Sequence, residues 1–188
     1  MKRAILLAIT ASLGMSAFAA PETYVVEPNH TFASFSYTHL GFSTQQSKFD
    51  KTSGKITIDR AAKTGSLDVS IDSKSVNTGV DVFNGHLKGE DYFNVEKFPA
   101  ITFKSGNFKF DGDKPATISG ELTIKGITKP VTLAVTSFNC APHPFTKKEM
   151  CGANANTRIK RSDFNAGKNA PAVSDDVTLN IAVEAIKE

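Results

Sequence analysis

The chain has 188 residues, with 22 basic and 19 acidic residues and only two cysteines. Its formal net charge of +3 gives no indication of a nucleic-acid-binding protein. Beyond the N-terminal segment, no stretch is apolar enough to predict a transmembrane helix. These properties favour one globular domain with its own core.

The first nineteen residues have the pattern of a cleaved export signal. Lys2 and Arg3 give a positive start, residues 4–13 form a short apolar segment, and Ala17 and Ala19 occupy the small-residue positions before a cleavage site. We therefore predict a signal peptide over residues 1–19 and cleavage after Ala19. The mature protein, residues 20–188, is expected to be a single domain in the periplasm.

Alternation of apolar and polar residues dominates the mature sequence and predicts an all-β protein. In residues 66–72, Leu67, Val69 and Ile71 alternate with polar residues, which is typical of a strand with one buried face. In chain order, strands are predicted at residues 31–40, 55–59, 66–72, 101–110, 117–125, 131–136, 156–164 and 176–185. The apolar parity changes across Gly106 and Asn107, which predicts a β-bulge or a kink.

Residues 77–95 depart from this alternation, because Val80, Phe83 and Leu87 follow helical spacing. We predict one or two short helices there that cover one end of the fold. Turn-forming residues separate the strands at 52–54, 63–65, 111–113 and 126–130. Together the elements predict an antiparallel barrel or sandwich.

The two cysteines, Cys140 and Cys151, both follow the export signal. In an oxidising periplasm they are expected to form one disulfide, within a loop between two strands. Two unpaired thiols are the alternative. A metal site is less favoured because no second cysteine or histidine pair lies at zinc-like spacing.

Motifs of the common catalytic sites do not occur in the sequence. It contains no G-x-S-x-G, no HExxH and no glycine-rich phosphate loop. His30 and His39 are nine residues apart and would point to opposite faces of one continuous strand. We therefore predict no catalytic residue, no metal and no cofactor.

Two polar residues share parity with predicted interior faces. His39 follows Tyr37 at the end of an apolar face, where it could bond a ligand head group or instead donate to a main-chain carbonyl. Arg161 follows Ile159 and could anchor an anion or a carbonyl. The alternative is a salt bridge to Asp163 or another carboxylate at the rim, or an outward-turning bulge.

Phenylalanine is abundant: the chain has fourteen, and no tryptophan. A plain packed core would use many of these rings. A closed barrel of modest strand number could instead use them to line a ligand cavity.

Five segments, in this order, resemble the YceI-like family of periplasmic lipid-binding proteins over nearly the whole mature chain. They are HTF (30–32) with THLGF (38–42), SVNTG (75–79), HLK (86–88) with DYF (91–93) and FP (98–99), GELTIKGITKPV (120–131), and IKRSDF (159–164). The resemblance implies a lipocalin-like antiparallel barrel, a long apolar interior for a polyisoprenoid chain or an isoprenoid quinone, and no catalytic apparatus.

One position departs from the family. Its members often carry a basic-acidic pair before the His-Leu step, whereas Phe83, Asn84 and Gly85 precede His86 here. No head-group contact is carried over from that pair.

The alternating faces, the phenylalanine content and the resemblance together predict the lining of the interior. The expected apolar lining is Phe35, Tyr37, Phe42, Phe83, Phe93, Phe103, Leu122, Leu133 and Ile181. The expected polar end is His39, His86 and Arg161.

The leading hypothesis is a periplasmic, non-enzymatic protein that sequesters or carries an isoprenoid lipid or quinone. Its expected partners are that lipid and, transiently, a membrane; a monomer or a homodimer fits equally. A second hypothesis is an enzyme acting on such a lipid, which would need His86 and Asp91 to converge as an acid/base pair. A third is a stress or adhesion protein whose filled core binds nothing.

Overall fold

The computed structural model describes residues 20–188, and the predicted export signal lies outside them. Within this range the chain forms mostly β-strands, together with one α-helix, α1 (Asp81–Lys88), and two 3-10 turns, Ser73–Ser75 and Arg161–Phe164. The strands are β1 (Glu22–Val26), β2 (Phe32–His39), β3 (Ser43–Phe49), β4 (Thr52–Asp59), β5 (Thr64–Asp72), β6 (Val76–Asn77), β7 (Ala100–Asp111), β8 (Lys114–Ile124), β9 (Ile127–Pro142), β10 (Glu149–Lys160) and β11 (Asp176–Lys187).

Eight of these strands form a closed antiparallel barrel. Their order is β1-β4-β5-β7-β8-β9-β10-β11, and β11 pairs with β1 to close the ring. Side chains that alternate along each strand therefore point alternately into and out of the barrel. The predicted all-β antiparallel barrel with a short helix is confirmed.

The barrel wall changes strands along its length because β11 has two partners. Residues 185–187 of β11 pair with β1, whereas residues 178–182 pair with β2. From β2 the wall continues through β3 to β6, which pairs with β3 only at Lys48 and Phe49. Strand β6 runs antiparallel to β3 and leads into α1. The helix therefore lies at the end of the barrel where β2 turns into β3.

One tight turn and one β-bulge lie at positions where glycine or a change of apolar parity indicates them in the sequence. Lys125 and Gly126 have φ of 51° and 73°, the positive values that a two-residue hairpin turn needs between β8 and β9. The predicted bulge in β7 is present as a register shift between Lys104 and Asn107.

Several predicted boundaries were wrong. Of the turn predicted at residues 126–130 only Gly126 lies in a turn, because β9 begins at Ile127, and of the turn predicted at residues 63–65, Thr64 and Gly65 belong to β5. Residues 52–54 are not a turn but the start of β4, where β5 passes so close to Gly54 that a Cβ would lie 2.3 Å from the carbonyl oxygen of Asp68. The strand predicted over residues 156–164 ends at Lys160. Arg161 begins a 3-10 turn, so strand parity does not determine its direction.

The predicted disulfide between Cys140 and Cys151 is present, although not in a loop. Strands β9 and β10 are longer than expected, and the two cysteines are direct partners in their register. The bond therefore links neighbouring strands of the closed barrel.

The two ends of the barrel are packed differently. At one end, called the closed end, Tyr24, Cys151 and Ala185 are buried and fill the interior. At the other end, called the mouth, the interior is surrounded by the β2–β3 hairpin, α1 and residues 165–175 between β10 and β11. No helix within residues 20–188 has the length and hydropathy needed to span a bilayer.

Candidate functional site

An apolar cavity of about 660 Å³ occupies the barrel. Its lining extends from Tyr24 and Ala185 at the closed end to Val80 and Phe83 at the mouth. Val80 and Phe83 are 45% and 54% exposed, so the cavity meets solvent where they lie. The barrel is thus an apolar container with an opening at the mouth.

The aliphatic wall comes from the alternating faces of four long strands. These faces carry Leu67, Val69 and Ile71 on β5, Ile118, Leu122 and Ile124 on β8, Val131, Leu133 and Val135 on β9, and Val177, Leu179, Ile181 and Val183 on β11. Each is a face that the sequence pattern predicted to be apolar.

Eight of the nine residues predicted as apolar lining face the cavity. They are Phe35, Tyr37, Phe83, Phe93, Phe103, Leu122, Leu133 and Ile181. Phe42 is the exception and that assignment was wrong, because its side chain is 88% exposed. It follows the turn at Leu40 and Gly41, beyond which the parity of β2 no longer applies. Contact of the eight residues with a ligand stays a prediction.

Aromatic rings form the wall in the half of the barrel nearer the mouth. Phe35 lies 5.6 Å from Phe49 and 6.0 Å from Phe93, between ring centroids, and the last two rings are 5.2 Å apart. Tyr37 extends this group towards the mouth, 6.3 Å from Phe35. Because Phe93 comes from the segment after α1, the ring cluster also fixes that segment against β2 and β3.

Polar side chains surround the mouth. His39 and His86 line the cavity and are exposed. The Tyr92 hydroxyl accepts a hydrogen bond of 3.1 Å from the amide of Asn169. Burial raises the pKa of the half-buried Tyr37, with a further contribution from nearby Tyr92, so its hydroxyl stays protonated at neutral pH.

Arg161 also lines the cavity, but its guanidinium is engaged by the chain itself. Nε donates to Ser174 O (2.8 Å), Nη1 to Ala166 O (2.6 Å) and Lys168 O (2.7 Å), and Nη2 to Val173 O (2.7 Å). Four of its five N–H groups are therefore committed to main-chain carbonyls. The expected salt bridge to Asp163 is not present within residues 20–188. Arg161 holds the loop that forms one side of the mouth.

A network of charged side chains covers the closed end. The Tyr24 hydroxyl lies within hydrogen-bond distance of Glu22 and Glu149, which share its one proton, and Arg60 donates to both carboxylates at 2.7 Å. Lys187 donates to Glu22 at 2.6 Å. The bonds from Lys187, Arg60 and Tyr24 lower the pKa of Glu22 to about 2. Burial and the neighbouring carboxylates raise the pKa of Tyr24. In this closed-end network, each of these side chains is hydrogen-bonded to another member of the network.

Two hydroxyls lie inside the barrel without such partners. Thr52, at the start of β4, is 6% exposed, and its Oγ1 has no hydrogen-bond partner within the described residues. Ser47, on β3, is equally buried and also lines the cavity. Thr31 differs, because its hydroxyl donates to Glu184 O and accepts from Glu184 N. The interior is therefore apolar, and the Thr52 hydroxyl is a buried polar group without a hydrogen bond within residues 20–188.

The geometry does not assemble the acid/base pair of the enzyme hypothesis. Asp91 forms an ion pair with Lys168, and no hydrogen bond joins it to His86 within residues 20–188. His86 lies 6.2 Å from the Phe83 ring, between centroids. The Ser162 hydroxyl donates to Asp175 at 2.7 Å, but neither side chain lines the cavity.

Two groups of side chains are close enough to hold a metal ion. One contains Cys140 and Cys151, whose sulfurs form the disulfide and so offer no thiolate. The other is Glu27, His30 and Glu184 on the outer surface, where Glu27 already accepts hydrogen bonds from His30. Neither group adjoins the mouth.

Sequence reasoning missed several lining residues. Gly152, Ala153 and Ala155 face the cavity from β10, but small residues alternating with asparagine give no hydrophobic signal. Thr52 was assigned to a turn and Tyr92 to a helix. The alternation of alanine with asparagine over residues 153–156 could have indicated β10.

Comparison with known proteins identifies close resemblance along the whole chain. The model of the YceI-like domain matches residues 24–185. Protein YceI of Escherichia coli O6:H1 is 34% identical over 192 residues, which cover 100% of both chains. Protein YceI of Salmonella arizonae is 34% identical over 92% of this chain and 90% of that protein.

Solved structures share the barrel. BcnA of Burkholderia cenocepacia has a TM-score of 0.73 at 27% identity and covers 85% of this chain and 99% of its own. The YCEI protein of Campylobacter jejuni has a TM-score of 0.69 at 34% identity, over 80% and 90%. A polyisoprenoid binding domain from Saccharophagus degradans has a TM-score of 0.63 at 18% identity, over 88% and 98%.

Proposed function

Because this chain belongs to the YceI-like domain family, we propose that it binds a long isoprenoid lipid, isoprenoid quinones included, inside its barrel. One observation carries the proposal: a continuous apolar cavity of about 660 Å³ opens at the mouth. The polyisoprenoid binding domain of Saccharophagus degradans has the same fold and is consistent with such a ligand.

Burial of the lipid tail supplies enough free energy for stable binding. Each CH₂ group transferred from water to an apolar interior gains about 0.8 kcal/mol. Ten such groups gain roughly 8 kcal/mol before the cost of association is subtracted. A long isoprenoid tail therefore binds firmly without a charged anchor.

We place this protein in the periplasm, where it would sequester the lipid or carry it between sites. The signal pattern over residues 1–19 supports export, although it lies outside the described residues. The disulfide supports an oxidising compartment.

A binding role without catalysis fits the site better than the two alternatives. An enzyme acting on the lipid would need His86 to meet a second titratable group, and Asp91 is paired with Lys168 instead. A filled, ligand-free core would leave no space of this volume.

An exposed apolar rim supports transient contact with the membrane that supplies the lipid. Leu40, Phe42, Val80, Val82 and Phe83 are 45% to 88% exposed and lie on the β2–β3 turn or at the start of α1. Both segments border the mouth, and Val80 and Phe83 continue into the cavity. A lipid leaving a bilayer there would pass from one apolar surface to another.

The direct test is extraction of the purified protein with organic solvent, followed by mass spectrometry. A matched pair of variants assigns any lipid to the cavity. Ala155→Phe places a ring inside the barrel, beside Val135 and Ile181, whereas Ala134→Phe places the same ring on the outer face of β9.

We expect Ala155→Phe to lower lipid affinity by about tenfold, because displacing two CH₂ groups costs about 1.6 kcal/mol. Ala134→Phe should retain wild-type lipid. An extract without isoprenoid lipid, or equal occupancy in the two folded variants, would contradict the proposal.

A further inference from the structure

The mouth has few positive charges available to a ligand. Among the described residues that line the cavity, Arg161 is the sole arginine or lysine. Four of its N–H groups bond to carbonyls of residues 166–174. A guanidinium held in this way has one N–H left and cannot form the bidentate contact that phosphates favour.

Nearby lysines are also engaged or lie off the cavity. Lys168 pairs with Asp91, and Lys125 donates to Glu90 O at 2.9 Å and to Asn165 O at 2.6 Å. Burial lowers the pKa of Lys125, which disfavours its charged form further. Lys88, at the end of α1, is not part of the lining.

Neutral hydrogen-bonding groups are available at the same place. The Tyr37 hydroxyl has no hydrogen-bond partner among residues 20–188, and burial keeps it protonated. The Tyr92 hydroxyl accepts from Asn169, which leaves its own proton free to be donated. His39 and His86 also line the cavity there, and their ring nitrogens can take part in hydrogen bonds.

From this arrangement, and resting on the proposed function, we infer that the lipid carries a neutral oxygen head group, such as a quinone carbonyl or a prenyl hydroxyl, and not a phosphate or diphosphate. A phosphate would lose water at the mouth without gaining an uncommitted arginine or lysine in exchange. A carbonyl or hydroxyl needs only hydrogen bonds, and Tyr37 and Tyr92 can donate them.

The test is competition for the lipid-depleted, full mature protein among four isoprenoids of equal chain length. They are a prenyl alcohol, an isoprenoid quinone, a prenyl diphosphate and a hydrocarbon without a head group. The amounts retained are measured by mass spectrometry. We expect the alcohol and the quinone to exceed the diphosphate by at least about tenfold.

Two variants assign the selection to the mouth. Tyr37→Phe should weaken the alcohol and the quinone by about three- to tenfold, the value of one hydrogen bond, and leave the hydrocarbon unchanged. His39→Arg places an uncommitted guanidinium at an exposed strand end and should raise diphosphate binding by at least about tenfold.

The outcomes separate the head-group inference from the proposed function. Equal or tighter binding of the diphosphate to wild type would overturn the inference and leave isoprenoid binding intact. Equal retention of the hydrocarbon by wild type and Tyr37→Phe, with a loss confined to the oxygenated lipids, supports it. If none of the four isoprenoids is retained, the proposed function fails and the inference fails with it.

Discussion

The closed end and the mouth of this barrel use polar groups in opposite ways. At the closed end, Glu22, Tyr24, Arg60, Glu149 and Lys187 bond to one another and leave nothing for a ligand. At the mouth, Arg161 bonds to the loop, while the Tyr37 and Tyr92 hydroxyls can still donate a hydrogen bond. The difference shows that charge density alone does not mark a binding site; the availability of each donor does.

The disulfide at the closed end provides the largest expected effect on stability. Replacing Cys140 and Cys151 by alanine releases a loop of eleven residues in the unfolded chain. We expect the free energy of unfolding to fall by about 2–3 kcal/mol in urea titrations. Lipid selection should not change, because the bond lies far from the mouth. A folded double variant with altered lipid preference would contradict the conclusion that the closed end contributes to stability and not to lipid selection.

Acid should weaken the closed end next. The pKa of Glu22 lies at about 2, below its ordinary value of 4.5. Its contribution is complete above about pH 4.5 and is lost as the pH falls towards 2. We expect a loss of about 1–2 kcal/mol in unfolding free energy, since the network is partly exposed and screened.

Glu22→Gln isolates this contribution. The variant should unfold with a shallower acid dependence than wild type, whereas Asp81→Asn, an exposed carboxyl near the mouth, should retain the wild-type dependence. Identical acid profiles for wild type and Glu22→Gln would show that the closed-end network does not stabilise the fold.

The barrel interior between the two ends gives a third, smaller effect. Thr52→Val removes a buried hydroxyl that has no partner, so the lipid-free protein should gain about 1 kcal/mol in unfolding free energy. Thr31→Val removes a hydroxyl that bonds twice to the main chain of Glu184 and should lose about 1–2 kcal/mol. Thermal unfolding of both variants checks the pair. Equal effects would mean that the Thr52 hydroxyl is bonded in solution.

Rim residues should affect transfer and not stability. Phe42→Ser at the mouth and Phe145→Ser in the turn between β9 and β10 each replace a ring that is 88% exposed. Both should change the unfolding free energy by less than about 0.5 kcal/mol. Lipid uptake from vesicles should slow for Phe42→Ser alone. Equal rates of lipid uptake by the two variants would show that the exposed apolar rim is not on the path by which lipid enters the cavity.

The sequence predicted the strands that have one apolar face and missed those that do not. Alternation in β5, β8 and β11 was enough to place their lining residues. Strand β3 has the polar sequence STQQSKF, and β1 is short, so neither carries a period of two. The positions of β1 and β3 in the sheet are determined by pairing with β2, β4 and β11. Such pairing between distant parts of the chain cannot be predicted from a local sequence pattern.

The candidate site divides in the same way. Strand parity placed Phe103 and Leu122 correctly, because both lie within regular strands. Parity failed for Phe42, beyond a turn. Arg161 does line the cavity as expected, but parity could not show that its guanidinium bonds to carbonyls of residues 166–174. Which main-chain carbonyls the guanidinium bonds to depends on the folded path of the loop. No local sequence pattern indicates it.

Closure of the barrel also has a kinetic consequence. Tyr24 pairs with Lys187, and the ring is complete only when these distant segments meet. Contacts of such long sequence separation are typical of slow folding, since chain entropy is lost before the contact forms. The hairpins from β7 to β10 can form early from local contacts, whereas β1 can pair with β11 only after the C-terminal strand has folded. Until β1 and β2 have both paired with it, β11 presents an unpaired edge, so these two late pairings set the time during which the nascent barrel can aggregate.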